Sequence, residues 1–256
     1  MNRHAAGLTH YSFGPGMVTP MVRMLIWTNV MTFVLSQITP VLLIFLGLTP
    51  VAVFGRLWIW QPFTYLFLHD GFVHILFNML ALWMFGTELE RLWGSRFFLR
   101  YYFVTGIGAG VVILAASLMP SVFGERMYVT PTIGASGAVY GLLMAFAIYY
   151  PTRPLFMFPF PIPIQAKYFV LIIGGFVFFS SLNHVSDGIA HVAHLGGLIV
   201  GYVYLKRSGG KSLAGFGRFG VMAEIKYRYL RWKMSRLRRK FDVYPGRGND
   251  LDRRVH

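Results

Sequence analysis

Apolar residues run along this chain in stretches too long and too even for the two-sided helices of a soluble domain. Six runs stand out, at 21–38, 73–87, 97–118, 133–150, 168–182 and 189–205. Crossing the hydrocarbon of a bilayer takes roughly 20 apolar residues, so the shorter runs must borrow flanking residues such as 66–70 or 165–167. The pattern predicts an all-α polytopic membrane protein with six transmembrane helices. A seventh apolar stretch, 40–68, contains Pro40, Pro50, Pro62, Gly47, Gly55 and Arg56, which break any straight helix. Trp58 and Trp60 suit a membrane interface. This stretch is expected to be a long loop partly sunk into the outer leaflet, its backbone buried in protein or lining a wet cavity. A second interruption, 151–163, carries five prolines and cannot be helical throughout.

Composition agrees with the pattern. Of 256 residues, 55% are hydrophobic and 13% charged, against about 25% charged in soluble domains; mean hydropathy is +0.55. With no cysteine, disulfide and thiolate chemistry are excluded. The opening "MNRHAAGLTHYSFGPGMV" has no continuous apolar region and no evident cleavage site, so no removable signal peptide is expected.

Charge sets the orientation. Residues 206–256 hold 15 Lys/Arg against 4 Asp/Glu, a net of +11, whereas the preceding 205 hold 9 against 5, a net of +4. A basic segment just after an apolar span marks a cytoplasmic end and attracts anionic lipid headgroups; a nucleic-acid arm is the less favoured reading. Six spans leave only Arg56 and Arg126 among Lys/Arg on the far side, so both termini are expected in the cytoplasm. The resulting division is an N-terminal segment 1–20, a membrane core 21–205 and a basic tail 206–256. No internal repeat is visible.

Polar groups inside spans are costly and therefore candidates for function. Ser136 opens the fourth run, His74 and Asn78 lie four apart on one face of the second, and His191 and His194 lie three apart in the sixth. Each has a bland explanation. Ser136 sits among small residues that let helices approach, Gly137 and Gly141 forming a GxxxG pair, and His74 with Asn78 could tie two helices together. Metal binding is disfavoured, because HExxH and cysteine are absent and carboxylates are few near these spans.

The chemical reading is that Ser136 is a nucleophile activated by a histidine base. A helix N-terminus aims free N–H groups at an oxyanion forming beside it, and Gly196, Gly197 and Gly201 allow the sixth helix to come close. Spacing alone does not choose between His191 and His194. The acids available outside the cytoplasm are Asp70, Glu125 and Asp187, and Asp187 lies seven residues before His194, about two turns along a regular helix. A Ser–His dyad fits better than a triad.

Together "FLHDGFVHILFNML", "ELERLWGSRFFLRYYFVTGIGAG", "GASGAVYG" and "AHVAHLGGLIVG" resemble, in order, four segments of the rhomboid family of intramembrane serine proteases. The resemblance implies a six-helix bundle of the basic bacterial form, with a part-immersed first loop. It implies Ser136 as nucleophile, His194 as base, and His74 and Asn78 with the Ser136 N–H as oxyanion hole. Tyr140 would support the histidine ring, Gly134 and Gly197 belong to the two motifs, and Glu90 would be structural. The activity implied is cleavage of single-span membrane proteins near the outer boundary without ATP, metal or other cofactor, in the bacterial inner membrane. Two rivals remain: a catalytically silent rhomboid-like scaffold that binds membrane clients, and a transporter with proton-relaying histidines, for which no repeated halves are seen.

Overall fold

The first long helix, α1 (Pro20–Ile38), starts where Thr19 is extended and Pro20 has no amide hydrogen to lose. Its first turn contains no acid; a carboxylate distant in sequence supplies one. Glu90 accepts hydrogen bonds from the amides of Met21 (3.1 Å) and Val22 (3.0 Å) and from the hydroxyls of Thr19 and Ser95. Amides that an α-helix leaves unpaired are thereby satisfied, and the negative charge faces the positive end of the helix dipole. The computed structural model describes residues 15–119, 126–156, 163–182 and 188–208, with 229, 230 and 233 in the tail.

Residues 40–68 fold as three short helices, α2 (Val41–Leu46), α3 (Pro50–Arg56) and α4 (Gln61–Thr64), followed by a 3₁₀ turn at Tyr65–Phe67. None exceeds seven residues. The loop expected here is therefore more helical than the breakers suggested. Pro50 and Pro62 stand in the first turns of α3 and α4, where proline starts a helix instead of interrupting one. Leu57, with φ of 58°, turns the chain after α3. Phe45, Trp58 and Trp60 cluster with centroids 5.0–5.8 Å apart, and the Arg56 guanidinium lies over Trp58.

The second apolar run is continuous from α5 (Phe72–Ala81) through one π-wound turn (Leu82–Gly86) into α6 (Thr87–Trp93), longer than the run 73–87. Gly94, at φ of 77°, breaks it, and α7 (Ser95–Ser117) follows. A single turn, α8 (Arg126–Val129), precedes α9 (Ser136–Tyr149). The proline-rich interruption holds an antiparallel pair, β1 (Pro154–Phe156) and β2 (Pro163–Gln165), with Leu155 opposite Ile164. Two further helices, α10 (Ala166–Leu182) and α11 (Gly188–Arg207), follow.

Ten of the 14 residues of α9 are buried, as expected of a helix apolar on every face. Small residues bring α7 and α11 against it. A Cβ on Gly197 would stand 2.0 Å from the Gly137 carbonyl oxygen, one on Gly201 3.2 Å from Gly141 Cα, and one on Gly141 2.6 Å from Thr105. The outer surface is the reverse: Trp27, Met31, Leu171, Ile172, Phe176 and Phe179 are exposed. Among the described residues three helical stretches are long and apolar enough to cross a membrane, Pro20–Ile38, Phe72–Trp93 and Ser95–Ser117.

The chain divides into two compact units, Met1–Lys211 and Ser212–His256. Glu125, Asp187, most of the N-terminal segment and most of the basic tail lie outside the described residues.

Candidate active site

The loop ahead of Ser136 is held by backbone pairing to the segment before α5. Leu48 and Thr132 exchange two hydrogen bonds (2.9 and 2.8 Å), and the Gly134 amide donates to the Tyr65 carbonyl at 2.9 Å. The Tyr65 hydroxyl in turn donates to the Gly106 carbonyl of α7 at 2.7 Å. Gly134 has φ of 122°, a conformation that L side chains rarely adopt. The chain then enters α9 with Ser136 as first residue, after Ala135. The first backbone bond of this helix runs from Val139 to Ala135, so the amides of Ser136, Gly137 and Ala138 precede the regular helical ladder.

Ser136 faces a cavity of about 940 Å³, lined also by His74, Asn78, Tyr140 and His194. Four stretches of sequence thus converge: the 3₁₀ turn with α5 and the π-wound turn after it, the loop before α9 with α9 itself, α10 through Phe169 and Ile173, and α11. His194 lies against Tyr140 in a parallel stack, centroids 4.1 Å apart and planes at 6°. Its Nδ1 is buried and without a hydrogen-bond partner among the described residues. His191 does not line the cavity; its ring meets Phe176 at 6.1 Å and the edge of His194 at 6.2 Å.

His74 and Ser136 flank the space over Gly134. A Cβ placed there would be 2.8 Å from His74 Nε2 and 3.8 Å from Ser136 Oγ. Only glycine leaves that space open. Asn78 is buried, and its Nδ2 donates to the His74 carbonyl at 3.0 Å. The amide group carries two N–H donors, so one remains for a ligand. Gly197 does not line the cavity; its part is the backbone-to-backbone approach that brings α11 onto Gly137.

Asp70 was weighed above only as a candidate acid for a triad. Its Oδ1 lies 2.6 Å from Nδ1 of His74, so that carboxylate is engaged with His74. The fully buried His69, which sequence reasoning passed over, stands edge-on to His74 with centroids 4.9 Å apart. An acid four residues ahead of a histidine at a helix start was the available signal. Glu90, twelve residues past Asn78 and within α6, is structural in its contacts, capping α1.

Residues 56–209 match the rhomboid domain. This chain belongs to the rhomboid family. It is 33% identical over 147 residues to rhomboid protein 1, mitochondrial, of Saccharomyces cerevisiae, covering 54% of this chain and 38% of that protein. It is 33% identical over 160 residues to rhomboid protease GluP of Bacillus subtilis, covering 62% and 28%. To rhomboid protease AarA of Providencia stuartii it is 29% identical over 153 residues, covering 56% and 53%. The chain thus spans between about a quarter and about half the length of these curated relatives. With its apolar helices, the rhomboid domain makes this a multi-pass integral membrane protein.

Proposed function

We propose that this rhomboid is an intramembrane serine endopeptidase that cuts single-span transmembrane proteins near the membrane boundary with a Ser136–His194 dyad. The observation that carries the reading is the shared cavity: a serine at the start of a buried helix, with a histidine stacked on Tyr140 lining the same space. Two of the relatives above are named as rhomboid proteases.

The reaction follows from the chemistry of these groups. His194 takes the Ser136 hydroxyl proton while Oγ attacks the scissile carbonyl carbon. The oxygen that gains negative charge sits over Gly134, where the Ser136 amide, His74 Nε2 and Asn78 Nδ2 donate to it. Collapse of this adduct breaks the C–N bond, and the proton on His194 leaves with the amine. Water, deprotonated by the same histidine, then hydrolyses the ester on Ser136. No metal or other cofactor takes part.

At 1.5 Å per residue, the 14 residues of α9 reach about 21 Å, less than the roughly 30 Å of hydrocarbon. Ser136 then lies below the membrane boundary, and the cavity supplies the water. The proposed topology has six spans and both termini in the cytoplasm of a bacterial inner membrane, the basic tail lying against anionic lipid. The test is purified protein in liposomes with a single-span model substrate. Cleavage by the native chain and none by Ser136→Ala supports the reading, whereas equal cleavage by both overturns it.

A further inference from the structure

We infer that Asp70 is a positioning residue for the oxyanion hole: its carboxylate holds Nδ1 of His74 and so turns Nε2 toward the space beside Ser136. The inference rests on the proposed serine mechanism and adds a residue to it. His74 stands in the first turn of α5 with its side chain 30% exposed, so packing alone does not fix its ring. Two neighbours do. Asp70 Oδ1 engages Nδ1 at 2.6 Å, His69 meets the ring edge-on at 4.9 Å, and Nε2 faces the gap over Gly134. With a carboxylate on one ring nitrogen, the other is the atom presented to the substrate.

The proton inventory agrees. For Nε2 to donate while Nδ1 meets the carboxylate, one proton must sit on Nε2 and another between Nδ1 and Asp70. Either placement of the second proton leaves the donor at Nε2 intact, and the pair is neutral overall. Among the described residues lining the cavity Asp70 is the one acid, and none is Lys or Arg. His194, on α11, and His69, ahead of α5, are the other titratable imidazoles facing this region. A neutral pair aimed at a developing oxyanion avoids adding an unpaired carboxylate next to it.

Asp70 is itself well exposed, with a side chain 71% accessible. Exposed ion pairs contribute little to folding stability. Its effect should therefore appear in turnover and not in melting. A charge-assisted donor is about twice as strong as a neutral one, which corresponds to roughly tenfold in rate.

The experiment compares native protein with Asp70→Ala, Asp70→Glu and Asp70→Asn, each alone and with His74→Ala, in the liposome cleavage assay. Asp70→Ala is expected to lower kcat about tenfold with KM and the thermal midpoint unchanged. Asp70→Glu should recover most of the loss and Asp70→Asn part of it. In the His74→Ala background Asp70→Ala should add nothing. Nitrogen NMR of the His74 ring, in native protein and in Asp70→Ala, reads the contact with or without turnover; its Nδ1 resonance should move. Native kcat in Asp70→Ala, an equal loss in the His74→Ala background, or an unmoved Nδ1 resonance would each overturn the inference. The Ser136→Ala control separates these results from failure of the serine mechanism, which alone predicts its silence.

Discussion

His194 lies flat against Tyr140, ring centroids 4.1 Å apart and planes 6° from parallel. Tyr140 is one turn below Ser136 on the same helix, so one element carries the proposed nucleophile and the surface on which the proposed base rests. A stack of this kind contributes about 0.5–1.5 kcal/mol, and it depends on the ring. Tyr140→Phe should keep most of native turnover, and Tyr140→Ala should lose roughly tenfold in kcat. A Phe variant as poor as the Ala variant would move the function from the ring to the hydroxyl.

A nucleophile and its base act as one unit, so removing both should harm little more than removing either. Ser136→Ala and His194→Ala should each abolish cleavage, and the double variant should match them. His191, packed on Phe176 away from the cavity, should be dispensable: His191→Ala retains measurable turnover. Kinetics of the four proteins check this, and a live His194→Ala beside a dead His191→Ala would reverse the assignment.

Two glycines should fail in different ways. At Gly197 an added methyl would stand 2.0 Å from a backbone oxygen that cannot swing aside, so Gly197→Ala must part α11 from α9. It should melt early and lose activity with folding, by about 1–3 kcal/mol as for other overpacked sites. At Gly134 the methyl meets His74 Nε2, a side-chain atom, at 2.8 Å. Gly134→Ala should fill the space proposed for the oxyanion and lose kcat far beyond any loss in melting temperature. Differential scanning fluorimetry beside the cleavage assay separates the two, and matching stability-to-activity ratios would contradict the distinction.

These contrasts show where sequence was informative. Ser136, His74, Asn78, His191 and His194 could be singled out because polar groups inside apolar runs are costly. The family resemblance preferred His194 to His191, and the fold brings Ser136, His74 and Asn78 to one cavity with His194. The support beneath them was not legible. Leu48 pairs with Thr132, and Tyr65 with Gly134, through backbone atoms alone, and such bonds leave no side-chain signature. Pro50 and Pro62 were read as breakers because proline is unfavourable inside a helix, yet at a first turn the same ring favours helix. Asp70 was visible, but the search for a triad acid directed attention to His194 instead of the nearer His74.

The proposed topology rests on the charge distribution and can be read with reporters active only outside the cytoplasm. Fused at residue 256 such a reporter should be silent, and inserted near Arg126 it should be active. A signal from the tail would make the number of spans odd and place 40–68 across the membrane, against its helices of seven residues or fewer.

The proposed oxyanion hole makes the sharpest demand. Asn78 donates one N–H to the His74 carbonyl at 3.0 Å, a bond within its own helix whose loss leaves a carbonyl already serving the helical ladder. Removing it should therefore cost little stability. The second N–H is useful only when negative charge grows beside it, which stabilises the transition state more than the ground state. Loss of one such donor lowers turnover by roughly 10²–10³. A side chain merely tying helices together would instead contribute about 0.6–2 kcal/mol to stability. Asn78→Ala should accordingly lower kcat by that factor with KM and thermal midpoint nearly native, and Ser136 should still react with a fluorophosphonate, more slowly. His74→Ala should act in the same direction, with some added instability because it also removes the ring packed against His69. If both variants melt early yet keep native turnover per folded molecule, the pair is structural, and the oxyanion must rest on backbone amides at the start of α9.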